Sequence, residues 1–232
     1  MTARQPNLLI PVNHLIKTKG RLQNFLDEKE RAQLTLKTLQ TAITAGIDAG
    51  FTPAILTADE DIESLITNDI NVFGEQKSLT GLNDQIDYVI SKMARTELLI
   101  VHADLPLITA KSLHQLKKAS LRTNSVVIAK SFDGGTNAIF LRSPKKFVAK
   151  YGPQSCAQHC ISANIAGLPA TIITPPELYL DLDTPKDLRK LLSTVTGRKS
   201  LAGKYLSKIG VVERLKQFKF PDVNQEDRQI FK

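Results

Sequence analysis

Short apolar runs alternate with longer amphipathic segments along most of the chain, the pattern of a mostly parallel sheet flanked by helices. Apolar runs over residues 8–12, 53–57, 98–101, 125–129, 138–141, 171–173 and 178–182, with a shorter one around Val72, predict strands. Asp27 with Glu30 three residues later offers a capping pair for a helix. That helix should turn Leu34, Leu36, Leu39, Ile43 and Ile47 inward and end near Gly46 or Gly50. Further helices are predicted over 62–66, 81–93, 155–166 and 184–192. Periodicity weakens and charge rises near Gly197, which predicts a domain over 1–196 and a basic C-terminal extension over 197–232.

The run Leu98-Leu99-Ile100-Val101 reads as a strand buried on both faces, and Pro106 stops its ladder soon afterwards. Asp104 therefore falls at the carboxyl edge of the sheet, where ligands of open α/β sheets sit. A charge at that depth needs a cation or hydrogen bonds, so Asp104 reads as a metal ligand. The competing reading is a helix cap, a role for which Thr109 and Ser112 are better suited. A second acidic cluster, Asp181-Leu182-Asp183-Thr184-Pro185, would place Asp181 and Asp183 on one face of a strand, with Pro185 opening a helix. Either aspartate would complete a magnesium site with Asp104; the plainer reading is that Asp183 or Thr184 only caps that helix.

The loop after the first strand carries Lys17, Lys19 and Arg21, cations suited to a triphosphate but also to a solvated basic turn. It lacks the spaced glycines and Lys-Ser/Thr pair of a P-loop. Asp133-Gly134-Gly135-Thr136-Asn137 offers the backbone freedom of a loop that closes on a ligand, and equally that of a hairpin turn. The chain of 232 residues carries a formal net charge of +8, and 197–232 holds nine Lys or Arg against four Asp or Glu, a net +5. With aromatics at 6%, no tryptophan and no nucleic-acid motif, the charge suits an enzyme of phosphorylated substrates better than a nucleic-acid binder. Cys156 and Cys160 share a helix face with His159 between them, but a structural zinc site wants four ligands, and reduced thiols are expected. No signal-like or membrane-spanning apolar run is present, so a cytoplasmic location is expected.

Several short motifs occur together and in order: Pro11-Val12 followed by Lys19-Gly20-Arg21-Leu22, Gly81-Leu82-Asn83, Ala103-Asp104-Leu105-Pro106-Leu107, Gly134-Gly135-Thr136-Asn137, Gly152-Pro153-Gln154-Ser155, and Asp181-Leu182-Asp183-Thr184-Pro185. Over about residues 8–192 the chain resembles the guanylyltransferases that make the GMP-activated phospholactate-type precursor of coenzyme F-420. The resemblance implies a single-domain α/β nucleotidyltransferase of the glycosyltransferase-A type. It implies transfer of GMP from GTP to the phosphate of 2-phospho-L-lactate, phosphoenolpyruvate or 3-phospho-D-glycerate, with release of pyrophosphate. By the same resemblance Asp104, Asp181 and Asp183 hold Mg2+, and Lys19, Arg21 and Asp104 carry the catalysis. Pro11, Lys19, Arg21 and Asn83 would bind the nucleotide, and Thr136, Asn137, Gly152 and Ser155 the acceptor. A homodimer and hand-over to the next transferase of the pathway are further expectations. The alternatives are a sugar-phosphate or molybdenum-cofactor nucleotidyltransferase, whose first loop usually holds more glycine than Gly20 alone, and a non-catalytic nucleic-acid binder.

Overall fold

The computed structural model describes residues 7–65, 70–93, 97–123 and 126–218. The predicted strand start at Ser125, the end of the short helix at Ile66 and residues 219–232 of the expected extension lie outside these. The strands are β1 (Asn7–Pro11), β2 (Thr52–Thr57), β3 (Asn71–Gly74), β4 (Leu98–Val101), β5 (Val126–Lys130), β6 (Thr136–Leu141) and β7 (Ala170–Ile173). They form one seven-stranded sheet in the order β3-β2-β1-β4-β6-β5-β7. Only β6 runs against its neighbours β4 and β5; every other pairing is parallel.

Alternation along the strands divides the core in two. Leu8, Ile10, Ile55, Leu99, Val101 and Phe140 point to the face covered by α1 (Glu28–Asp48) and α4 (Ala110–Thr123). Leu9, Leu56, Ile100, Ile128 and Ile139 point to the other face, beneath α3 (Gly81–Met93) and α5 (Ser155–Ile165). Burial on both faces is why these strands read as unbroken apolar runs. The expected capping pair opens α1: Glu30 N–H donates to Asp27 Oδ1 at 2.7 Å and Asp27 N–H to Glu30 Oε2 at 3.1 Å. Gly46 lies inside α1, where a Cβ would come within 2.3 Å of Leu8 Cδ2, so the glycine lets the helix settle onto β1. The helix stops at Asp48, and Gly50 follows it in the left-handed region at φ 75°.

Two expectations are corrected. Ile47 is 47% exposed, because it sits on the turn of α1 that overhangs the core. Residues 178–182 are not a strand: a 3-10 turn covers Pro176–Leu178, and the chain then runs irregularly to α6 (Pro185–Ser193) with no ladder partner. Leu182 is nevertheless fully buried, so the local alternation that sets Asp181 and Asp183 apart from it is real.

Beyond α6, three short helices, α7 (Val195–Lys199), α8 (Leu201–Lys208) and α9 (Val211–Gln217), enclose a third apolar cluster. Ala202, Leu206, Val211 and Leu215 pack there with Leu22, Leu34, Leu182 and Leu188, and Arg214 grips Glu30 through two bonds of 2.9 and 2.8 Å. The basic segment thus covers the first loop and the start of α1. Between β2 and β3, α2 (Ile62–Leu65) is a single turn. Among the described residues no helix is long and apolar enough to cross a membrane.

Candidate active site

Because β6 runs against β4, its first residues and the last of β4 meet at the same sheet edge as the carboxyl ends of β1, β2 and β3. His102 N–H donates to Asn137 O at 3.1 Å and closes that junction. A cleft of about 420 Å³ opens along the edge, and Pro11, Thr18, Lys19, His102, Asp104 and Asp183 all line it.

The loop after β1 is built rather than solvated. Leu15 N–H donates to Asp59 Oδ2 at 2.8 Å, Arg31 Nε to Thr18 O at 3.2 Å, and the hydroxyls of Thr18 and Thr35 meet at 3.0 Å. Lys19 takes a left-handed conformation at φ 52°, and its Nζ donates to Leu182 O at 2.8 Å. Lys19 and Gln154 are the two non-glycine residues with positive φ among those described, and both flank this edge, as strained backbone tends to do at functional sites. Arg21 is about three-quarters exposed, with Nη1 3.9 Å from Asp183 Oδ2.

Neither Asp104 nor Asp183 is a helix cap. Thr109 and Ser112 cap α4 reciprocally, each N–H donating to the other's hydroxyl at 3.1 and 3.2 Å. At α6, the N–H and hydroxyl of Thr184 both donate to Asp187 Oδ2, at 2.9 and 2.7 Å. Asp104 Oδ1 is buried with no hydrogen-bond partner, a condition that calls for an explanation. Burial, then the charges of Asp104 and Asp183, pushes Asp181 up to about 7. Burial and Asp104 also raise Asp183, against the pull of Lys19 and Arg21. A divalent cation beside Asp104 would relieve the repulsion that its charge exerts on Asp181 and Asp183. Among the described residues no three acidic, His or Cys side chains stand together as a ready-made metal cage. Magnesium takes one or two carboxylates and completes its shell with water and phosphate oxygens, so Asp104 with one neighbouring aspartate would be donors of the kind it takes.

The Gly134-Gly135 segment is the turn of the β5–β6 hairpin. A Cβ on Gly134 would lie 2.8 Å from Gln154 Oε1, and one on Gly135 2.7 Å from Ser131 Oγ. The glycines therefore let the turn close against the loop that leads into α5. Ser155 and Cys156 N–H are engaged within that structure, donating to Gly152 O at 3.2 Å and Gly134 O at 3.3 Å. These two amides are therefore committed to the protein itself, while the Ser155 hydroxyl lies beside Gly135. Gly152, at φ 135°, shapes the approach to α5.

Two predicted contacts turn out to be braces. Asn83 bonds both ways to Tyr151, donating to its carbonyl at 3.0 Å and accepting from its N–H at 2.6 Å. Asn137 is buried and donates to Leu178 O at 2.8 Å. A lone asparagine motif carries no sign of whether its amide will serve ligand or backbone.

Thr136 is buried with its Oγ1 3.0 Å from His159 Nδ1. Lys150 N–H donates to His159 Nε2 at 2.9 Å, so the ring is neutral and carries its proton on Nδ1. Nδ1–H donates to the Thr136 oxygen, which leaves the threonine hydroxyl proton to point elsewhere. Burial, with a smaller effect of His102, pushes His159 down to about 4. The unfolded ring binds a proton near the ordinary 6.5 and the folded ring does not until about 4, so acid in that window favours unfolding. The full effect is about 3 kcal/mol. In urea melts, the stability advantage of the native chain over His159→Gln should shrink between pH 7.5 and 5; a constant difference would show that the folded ring takes up its proton as readily as the unfolded one.

Sequence reading missed His102, Thr18 and Glu75, all of which line the cleft. His102 Nε2 is buried without a partner, and its ring lies 5.0 Å from that of Tyr151. For His102 and Glu75, the position just beyond a strand end was the available signal.

The family model described as "Guanylyl transferase CofC like" matches residues 6–223. The chain is 33% identical over 207 residues to 2-phospho-L-lactate guanylyltransferase of Methanoregula boonei, covering 89% of this chain and 90% of the relative. It is 33% identical over 188 residues to phosphoenolpyruvate guanylyltransferase of Sphaerobacter thermophilus, covering 79% and 90%. A crystal structure from Desulfovibrio desulfuricans G20, described as a nucleotide-diphospho-sugar transferase, superposes with a TM-score of 0.77 over 93% of this chain and 99% of that one. At 16% identity that likeness establishes the fold alone. The family match spans nearly the whole described chain, and this protein belongs to the CofC-like guanylyl transferases, enzymes of the nucleotidyltransferase class.

Proposed function

We propose that the chain transfers GMP from GTP to the phosphate of a small phospho-acid, releasing pyrophosphate, as a step toward coenzyme F-420. The observation that carries this reading is the meeting of Lys19 with the unpartnered carboxylate of Asp104 and with Asp183 in one cleft of a guanylyl transferase fold. A second pKa near about 6 makes a phosphate monoester largely dianionic at neutral pH, so the acceptor needs no general base. The enzyme's task is to hold two strongly negative reactants together in line.

Lys19, fixed by Leu182 O, and Arg21 meet the triphosphate. Asp104, with Asp181 or Asp183, would hold magnesium, which when bound offsets the charge that grows on the departing pyrophosphate. An acceptor phosphate oxygen bonds to the α-phosphorus as the bond from that phosphorus to the bridging oxygen breaks, and the electron pair leaves on pyrophosphate. The Thr136 hydroxyl, its oxygen engaged by His159, presents its proton to the acceptor, and Ser155 supports it from the start of α5. Relatives are named for two different acceptors, 2-phospho-L-lactate and phosphoenolpyruvate. Discrimination between such acceptors is worth only about 1 to 3 kcal/mol, which a few side chains can supply.

A competition experiment tests this reading. With GTP, magnesium and equal amounts of the three phospho-acids, mass spectrometry should find GMP joined to one of them through a phosphoanhydride. Conjugates only with sugar phosphates would replace this reading with the sugar-activating alternative.

A further inference from the structure

We propose that Glu75 reads the nucleotide base and selects guanine, an assignment that rests on the guanylyl-transfer reading above. The cleft crosses the strand ends in the order β3, β2, β1, β4, lined in turn by Glu75, Leu56, Pro11 with Val12, and Asp104. Neighbouring strands lie about 4.8 Å apart, so Glu75 and Asp104 stand at opposite ends of a span of roughly 14 Å. That is the reach of a nucleotide from the outer edge of its base to its phosphates.

Charge fixes which end is which. Lys19, Asp104 and Asp183 gather at the β4 end, the place for phosphates and their cation. An additional carboxylate beside the triphosphate would repel it, so the carboxylate at the far end faces the base. Leu56, Pro11, Val12 and Leu82 between the two ends provide apolar surface for a flat ring.

The chemistry then singles out one base. Guanine presents two adjacent donors, N1–H and the N2 amino group, spaced for the two oxygens of a carboxylate. Adenine offers a lone pair at N1, and cytosine one at N3, which a carboxylate repels. Uracil has one N–H flanked by two carbonyl oxygens, so its second contact is also repulsive.

The segment carrying Glu75 is held for this task. Its own N–H donates to Thr57 O at 3.0 Å, extending the β2–β3 ladder by one bond. The next residue is clamped by the buried amide of Gln85 on α3: Gln76 N–H donates to Gln85 Oε1 at 2.8 Å, and Gln85 Nε2 donates to Gln76 O at 2.8 Å. The Glu75 side chain itself is exposed, and no cation among the described residues pairs with it. A rigid backbone with an uncommitted carboxylate is what selective recognition asks for.

Titration calorimetry with GTP and ITP in the presence of magnesium tests the assignment, since inosine lacks only the N2 amino group. The native protein should bind GTP about 10- to 100-fold more tightly than ITP. Glu75→Ala should weaken both nucleotides, GTP more than ITP because GTP loses two contacts and ITP only the one from N1–H, so that the two then bind about equally, and Glu75→Gln, which keeps one accepting oxygen, should leave part of the preference for GTP. Glu75→Ala that keeps the full preference for GTP would overturn the assignment and leave guanylyl transfer standing. Native protein that favours no nucleotide and releases no pyrophosphate from GTP would overturn both.

Discussion

Asp104→Asn is expected to lower guanylyl transfer by about 10³-fold or more, the scale of losing several kcal/mol of charge stabilisation at a metal-assisted transfer. The same substitution should leave the fold at least as stable as before. Asp104 caps no helix, its Oδ1 has no partner, and its charge helps to raise both Asp181 and Asp183. Removing the charge that raises these two neighbours therefore eases the free protein while disabling the site. Turnover and a thermal melt, measured on the same preparation, separate the two effects. Near-native turnover would remove Asp104 from the reaction, and a collapse in melting temperature would make it a structural residue.

Lys19→Ala should reduce kcat by roughly 10²- to 10³-fold, the range for deleting one preorganised charge donor. Lys19 lines the cleft and is tied by its Nζ to Leu182 O, so one side chain joins the nucleotide loop to the segment that carries Asp181 and Asp183. Its left-handed backbone at φ 52° disfavours most residues, which makes Lys19→Gly the informative companion. Glycine relieves the backbone and removes the charge, so it should be as inactive as alanine but more stable. Activity in Lys19→Gly close to native would locate the role of this position in backbone shape instead. Arg21→Ala should cost less than Lys19→Ala, because Arg21 is exposed and stands 3.9 Å from Asp183, where water screens it.

The sheet was legible because its five inner strands are buried on both faces, which writes them as apolar runs such as Leu98-Leu99-Ile100-Val101. The Asp27–Glu30 box and the Thr109–Ser112 cap were legible because their bonds reach only three residues along the chain. Residues 178–182 misled because apolar and polar positions alternate there for another reason: Leu182 plugs the third apolar cluster while Asp183 beside it lines the cleft. Alternation reports burial on one side and says nothing of a hydrogen-bonded partner. The site was legible as chemistry, since Lys19, Asp104 and Asp183 do converge. It was not legible as detail. Whether Asn83 touches a nucleotide or Tyr151, and whether the Ser155 amide is open or bonded to Gly152, depends on chain segments brought together only by the fold. Glu75 escaped notice for the same reason, being one exposed glutamate until the strand order places it across the cleft from Asp104.

Pyrophosphate release from GTP by the purified, magnesium-supplied protein, followed with and without each phospho-acid, tests the central claim most directly. Release that depends on both GTP and one phospho-acid, and that stops when the metal is chelated, is the predicted result. No release with any of the three acceptors, from protein shown to be folded, would contradict it.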